Sequence, residues 1–331
     1  MNSLDQHPLF KPAVLGSHVL RGRLVLPPMA SGTADADGQV TAATLAHYDR
    51  IVGDRHALAW VEYTGVHAWG RSEPNQTMLS SERHLPGLTD LARLIRAKGA
   101  LPGIQLTHAG AKTDVDLIGR RPLGASALPV PAHGGDMPAP EPMTAVEIAE
   151  LFDAFVTAAR RAEACGFAAI EIHAAHGYFF NQWLSPLTNQ RKDAHGGSPE
   201  NRRQLLVTLV AELRRVLKPS TLLSVRFPGQ DRLPGGMEPE EAAELGRALK
   251  AAGMDMLDVS SGLGGWRRGR DQRGEGYLVS DAAFLRREVG LPVIGVGGVS
   301  SLEYASEALQ EVDFVAVGRA VLENPAWPLA A

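Results

Sequence analysis

Short apolar runs recur along this chain, most of them closed by glycine or a polar residue, and stretches with helical spacing separate them. Read as strands, the eight runs are Leu24–Met29, Leu58–Thr64, Gly103–Thr107, Ala168–Ala174, Leu222–Phe227, Met256–Ser260, Pro292–Gly297 and Asp313–Gly318. Between them, Leu88–Lys98, Ala145–Cys165, Arg202–Leu217 and Pro239–Ala252 repeat apolar residues at the helical period. Eight strands alternating with helices predict an α/β fold, a parallel sheet closed into a (β/α)8 TIM barrel. A doubly wound open sheet ranks second, because the Gly-x-Gly-x-x-Gly turn expected after its first strand is missing. Residues 1–331 read as a single domain, with one long Pro- and Gly-rich loop, Asp114–Pro142, after the third strand.

Element ends carry their own signals. Ser198 suits a helix N-cap and Pro199 the first helical position. Gly99, Gly166 and Gly253 each follow a helical stretch, as C-terminal glycines do.

Strand parity then says where the polar residues point. Ile170 and Ile172 share one face, Glu171 and His173 the other; Ile104 and Leu106 oppose Gln105 and Thr107; Leu223 and Val225 oppose Ser224 and Arg226. A barrel packs its apolar face outward against helices, so Gln105, His173 and Arg226 converge inside, near the C-terminal mouth where such folds keep their chemistry. An amide, an imidazole and a guanidinium do not make a glycosidase, which needs two carboxylates. A metal site of Glu171, His173 and His176 is disfavoured, because ligands normally come in threes or fours with better geometry. Taken singly, each residue is more readily a satisfied core polar group; together they mark a site.

The last two strands add an anion site. Both end in glycine, at Gly297-Gly298 and at Gly318-Arg319. Glycine lets backbone N–H groups approach an anion, and arginine adds a fork of donors. These loops are the usual phosphate position of the barrel, although tight turns alone would also use glycine.

Composition narrows the field further. With 33 basic and 37 acidic side chains the net charge is −4, which gives no electrostatic case for nucleic acid or an anionic membrane. The lone cysteine, Cys165, excludes an internal disulfide framework, a cysteine-ligated iron–sulfur cluster and a Cys-rich zinc site; it reads as a core thiol. The N-terminus lacks a signal-peptide layout, and the longest uncharged stretch, Ile172–Gln190, is too polar to cross a membrane. A cytoplasmic protein is expected.

One segment is far more specific. Glu171-Ile172-His173-Ala174-Ala175-His176-Gly177-Tyr178-Phe179-Phe180 continues through Leu184-Ser185-Pro186, Asn189, Arg191 and Gly196-Gly197-Ser198-Pro199-Glu200-Asn201-Arg202. With Pro27-Pro28-Met29, Gln105-Leu106-Thr107-His108-Ala109-Gly110, Arg226 and Gly318-Arg319, it resembles the old yellow enzyme family, compact bacterial branch, nearly end to end. The resemblance implies noncovalent FMN, NADPH or NADH as reductant, a homo-oligomer, and ping-pong hydride transfer to the C=C bond of an α,β-unsaturated carbonyl compound. It assigns Pro28, Met29, Ala30 and Tyr63 to the flavin ring, Gln105 to its pyrimidine edge and Arg226 to N1 and C2=O. Gly297, Gly298, Gly318 and Arg319 take the phosphate, His173 and His176 the substrate carbonyl, and Tyr178 the proton. Other readings are the catalytic barrel of an amine dehydrogenase-like or other flavin oxidoreductase, or an FMN-dependent tRNA-reducing enzyme.

The chain also departs from that pattern. Ala30 stands where the branch has Cys, Gly32 where an aromatic is usual, Tyr63 where a small residue is common, and Ala111 where Arg often precedes Lys112. Trp69, Trp266 and the Asp114–Pro142 loop are further candidates to shape the pocket, with packing the alternative for each.

Overall fold

Eight parallel strands close on themselves in the computed structural model, which describes residues 3–131, 135, 137–264 and 273–329. They are β1 (Leu24–Leu26), β2 (Leu58–Gly65), β3 (Leu101–Thr107), β4 (Ala169–His173), β5 (Leu222–Pro228), β6 (Met256–Ser260), β7 (Val293–Gly295) and β8 (Phe314–Ala316). Each pairs with the next, and β8 pairs with β1. The helices between them are α1 (Ala42–Ile51), α2 (Leu85–Ala97), α3 (Ala145–Ala164), α4 (Pro199–Val216), α5 (Pro239–Ala251), α6 (Val279–Val289) and α7 (Leu302–Glu311). The short α8 (Arg319–Glu323) follows β8. This is the (β/α)8 barrel that the pattern predicts.

Alternation builds two cores. Ile104, Leu106, Ile170, Ile172, Leu223, Val225, Leu257 and Val259 face outward into a continuous apolar layer with the helices. Val25, Leu58, Trp60, Ala169, Leu222, Met256, Ile294 and Phe314 point inward and fill the N-terminal end of the barrel. A hairpin, Ala13–Leu15 paired with His18–Leu20, closes that end with Leu15 and Leu20. Gly103 makes the packing possible, since a Cβ there would lie 2.4 Å from the Trp60 ring. The floor is therefore apolar and close-packed, and the inward polar side chains Gln105, Glu171, His173, Ser224, Arg226 and Asp258 lie above it.

Local chemistry sets the boundaries. Ser198 Oγ accepts from Asn201 N, and Pro199 opens α4. Thr144 and Glu147 form a capping box at α3. Gly99, Gly166 and Gly253 adopt φ of 80°, 94° and 103°, the left-handed turn that glycine takes without strain. Three strands stop two or three residues sooner than the apolar runs suggest: β1 at Leu26, β7 at Gly295 and β8 at Ala316. Pro27 and Pro28 have no N–H to continue the ladder, and Gly297 turns to φ 129°. The residues released in this way form the mouth.

The segment after β3 is less irregular than its composition suggests. Val115–Ile118 makes one helical turn, and Leu123–Gly124 pairs with Glu141–Pro142 at its base. Arg191 donates to the carbonyls of Ala125 and Met143 and ties the base to the segment after β4.

Candidate functional site

Register brings the inward polar residues together. Gln105 pairs with Glu171, Glu171 with Ser224, His173 with Arg226, and Arg226 with Asp258. Glu171 accepts from Gln105 Nε2 at 2.8 Å and from Ser224 Oγ at 2.9 Å. Arg226 Nε stands 3.5 Å from Asp258 Oδ2. Burial pushes the carboxyl of Glu171 well up, and the neighbouring Asp258 adds to it; Asp258 is raised by burial as well, against the pull of Arg226. Burial, joined at Glu171 by repulsion from Asp258, thus pushes both carboxyl groups toward their protonated forms, against the single guanidinium beside them.

Above this layer lie the two histidines. His173 ends β4, and His176 takes φ 59°, an uncommon backbone for a residue with a Cβ. That conformation is held at both ends. His176 N donates to Ser261 O at 2.9 Å, and Lys112 Nζ donates to His176 O at 2.8 Å. Gln182, on the helical turn Phe179–Leu184, accepts from Ala111 N and donates to the carbonyls of Ala109 and Gly177. The result sets His173 Nε2 3.3 Å from His176 Nδ1, and His176 Nε2 2.6 Å from Ser260 Oγ. Burial holds both imidazoles well below their usual range. Arg226 and Lys112 push each down further, and His176 does the same to His173. Both rings are neutral at pH 7.

Tyr178 completes the group. Its ring centroid is 5.0 Å from that of His173 and 5.6 Å from that of Tyr63, and Lys112 Nζ lies 4.9 Å from it. Burial raises the Tyr178 phenol, partly offset by a hydrogen bond with Ser72, so it keeps its proton at neutral pH. Burial and the nearby Tyr178 raise Tyr63 too. Strict alternation would send Tyr63 outward; pairing of β2 with β3 slips between Val61 and Thr64, and such a slip re-aims side chains.

A cavity of about 440 Å³ opens beside these residues, lined by Pro28, Met29, Arg226, Gly297, Gly298, Gly318 and Arg319 among others. A second, of about 310 Å³, adjoins it and is lined by His176, Lys112 and Ser260, sharing Arg226, Arg273 and Tyr277 with the first. Gly298 sits at φ 72°, and a Cβ on Gly318 would fall 2.9 Å from Met29 Sδ. Side chains would fill this cradle. Arg226 Nε and Thr107 Oγ1 are buried without a hydrogen-bond partner among the described residues. Three guanidinium groups in one lining and a glycine cradle suit an anionic ligand such as FMN, within the usual volume of such pockets.

The expected residues thus fall into two groups. His173, His176 and Tyr178 cluster together, and His176 lines the second cavity with Arg226, which borders both cavities. Pro28, Met29, Gly297, Gly298, Gly318 and Arg319 line the first. Gln105 lies below, its amide N–H engaged by Glu171. Ala30 is exposed, in a turn anchored one residue later, where Ser31 donates from its N and Oγ to the buried Glu62. Gly32 takes φ 62°, which an aromatic residue would adopt only with strain. Trp69 packs under Arg120 at 4.4 Å, and Trp266 lies outside the described residues. Cys165 is buried at the end of α3, its thiol raised by burial.

Sequence reasoning passed over Lys112, Glu62, Asp258 and Ser260. The last two were within reach, because Asp258 and Ser260 alternate with Leu257 and Val259 as His173 does with Ile172. No candidate metal cluster of three or more His, Cys, Asp or Glu exists among the described residues. No described helix is long and apolar enough to cross a membrane.

Residues 8–331 match the family model described as NADH:flavin oxidoreductase / NADH oxidase family. An NADPH dehydrogenase of Geobacillus thermodenitrificans (strain NG80-2) is 38% identical over 326 residues, covering 98% of this chain and 93% of the relative. Among solved structures, a 2-naphthoyl-CoA reductase in complex with 2-naphthoyl-CoA superposes with a TM-score of 0.91 at 25% identity. That match covers 97% of this chain and 51% of the other, so the chain spans about half the length of that enzyme. The old yellow enzyme homologue of Zymomonas mobilis superposes with a TM-score of 0.84 at 24% identity, over 97% and 91% of the two chains, a likeness of fold.

Proposed function

This chain belongs to the NADH:flavin oxidoreductase / NADH oxidase family and is an FMN-dependent oxidoreductase driven by NADPH or NADH; from that premise, we propose that it reduces the C=C bond of α,β-unsaturated carbonyl compounds. The observation that carries this reading is the neutral, buried pair of His173 Nε2 and His176 Nδ1, 3.3 Å apart beside a protonated Tyr178. Two neutral donors at that spacing suit a single carbonyl oxygen and the charge that grows on it. A phenol next to them suits a carbon that must be protonated.

In this reading Pro28, Met29, Ala30 and Tyr63 border the flavin ring, and Gln105 serves its pyrimidine edge from the polar layer. Gly297, Gly298, Gly318 and Arg319 hold the phosphate by backbone N–H groups and one guanidinium. Bound FMN supplies the centre that accepts hydride from NAD(P)H and delivers it to Cβ of the substrate. Arg226 offsets negative charge at the junction of the two cavities. His173 and His176 polarise the carbonyl, and Tyr178 gives its proton to Cα. We read the whole chain as one such domain, acting in the cytoplasm as a homo-oligomer.

Anaerobic titration tests the proposal. The purified protein is expected to be yellow, to bleach with NADPH or NADH, and to recover its colour with cyclohexenone. Recovery with oxygen but not with cyclohexenone or other enones would remove the carbonyl substrate and leave the flavin oxidoreductase.

A further inference from the structure

The neutral state of the two imidazoles makes the position of each proton decisive, because a neutral ring has one N–H to offer. His173 is settled by the backbone. Ala175 N lies 3.3 Å from His173 Nδ1, and an amide N–H can only donate, so Nδ1 is the acceptor and the proton sits on Nε2. His176 is not settled by the backbone. Its Nδ1 faces His173 Nε2, and its Nε2 faces Ser260 Oγ at 2.6 Å, a hydroxyl that can donate or accept.

Two arrangements satisfy these contacts. In one, His173 Nε2–H donates to His176 Nδ1, and His176 Nε2–H donates to Ser260 Oγ; the pair satisfies itself and has one donor fewer for a ligand. In the other, Ser260 O–H donates to His176 Nε2, and His176 Nδ1–H joins His173 Nε2–H in pointing at one spot. Only the second makes a two-donor site for a carbonyl oxygen.

We propose that Ser260 is the positioning residue that lets the His176 proton sit on Nδ1 when a carbonyl oxygen enters, by turning its hydroxyl from acceptor to donor at Nε2, and so completes the two-donor carbonyl site. This rests on the reading of the histidine pair given above. When the carbonyl oxygen enters, one proton leaves His176 Nε2 and one arrives at Nδ1, carried by water, with no change in the charge of the ring. The surroundings leave Ser260 as the adjustable part. It is 3% exposed, on the inward face at the end of β6, while the His176 backbone is pinned by Ser261 O and Lys112 Nζ.

The test is nitrogen NMR of the histidine side chains in the oxidised FMN-loaded protein, with cyclohexenone as the probe and no reductant present. In the wild type, cyclohexenone is expected to move His176 to the Nδ1–H tautomer. Ser260→Ala, which offers Nε2 neither an acceptor nor a donor, is expected to abolish the probe-dependent change of tautomer, to raise the cyclohexenone KM, and to slow the oxidative half-reaction roughly tenfold, less than the ~10²–10³ for losing a whole oxyanion donor. Reduction by NADPH should keep its rate, and Ser260→Thr, which retains the hydroxyl, should restore both tautomer and rate. A normal shift to Nδ1–H in Ser260→Ala would overturn the assignment of Ser260 alone. If cyclohexenone moves no histidine signal in the wild type, and His176→Ala is reoxidised normally, the carbonyl-binding reading itself has failed and Ser260 with it.

Discussion

Arg226 and Asp258 occupy paired positions on neighbouring barrel strands, with Nε and Oδ2 3.5 Å apart, and Glu171 lies one layer below them. The guanidinium is thereby paired at the mouth with a buried carboxyl group whose neighbour Glu171 is also raised by burial. Burial is the larger cause of the raised Glu171 carboxyl and Asp258 the smaller. Asp258→Asn is therefore expected to lower the Glu171 pKa only in part, because burial still favours the protonated form. Infrared pH titration of the buried carboxylic-acid carbonyl stretch should show that band disappearing at lower pH in the variant than in the wild type. Loss of the band at the same pH in both proteins would mean that Asp258 does not act on Glu171.

Arg319 is exposed at the rim of the larger cavity, beside the Gly297-Gly298 turn. Arg319→Ala should weaken FMN retention by removing a charge-assisted phosphate contact, on the order of 1.5–3 kcal/mol. Solvent screening at an exposed position favours the lower end, roughly tenfold in Kd. Equal FMN affinity by fluorescence titration would take Arg319 out of the site.

Tyr178→Phe preserves the ring packed against His173 and Tyr63 but removes the only proton the phenol can give. FMN content and reduction by NAD(P)H should be unchanged, while enone turnover falls roughly 10²–10⁴-fold. Stopped-flow traces of the two half-reactions separate these effects, and wild-type turnover would mean that another group supplies the proton.

Ala30 presents only a methyl group at the end of the Pro27–Met29 segment. If position 30 borders the flavin as proposed, a hydroxyl there would donate to O4, at a worth of about 0.5–1.5 kcal/mol. Ala30→Thr is expected to raise the FMN midpoint potential by roughly 10–30 mV, since ~30 mV corresponds to ~1.4 kcal/mol for two electrons. Reduction by NAD(P)H should then quicken and reoxidation slow. A lowered potential in dye-equilibrated measurements would show that position 30 does not reach O4.

His108 is buried behind the site, its Nδ1 accepting from Gly110 N, and burial lowers its pKa to about 3. Its folded value lies below its unfolded one, so the unfolded chain binds the extra proton between them. The stabilising effect is complete above pH ~6.5 and shrinks on acidification, by roughly 1.4 kcal/mol per pH unit down to the folded value. His108→Gln removes that dependence. Urea unfolding at pH 7 and pH 5 should show the wild type losing stability relative to the variant, and parallel behaviour of the two proteins would contradict it.

The barrel itself was legible in the sequence because its cause is periodic. Outward residues such as Ile170, Ile172, Leu223 and Val225 must be apolar to meet the helices, and the alternate positions then stand out. The same alternation exposed Gln105, His173 and Arg226, and the terminal glycines of the last two apolar runs marked the mouth. What alternation cannot carry is distance between strands remote in the chain. Ser260 meets His176 across 84 positions, and Gln105 meets Glu171 across 66, through the register of a closed sheet. Nor does it foresee a slip in pairing, which turned Tyr63 toward Tyr178 against its parity. The sequence determined which side chains face inward, because that follows from local geometry and the burial of apolar surface. Only the tertiary structure decided which of them touch, and with that the direction in which the pKa values of Glu171, His173 and His176 move, because these depend on burial and on neighbours that closure brings together.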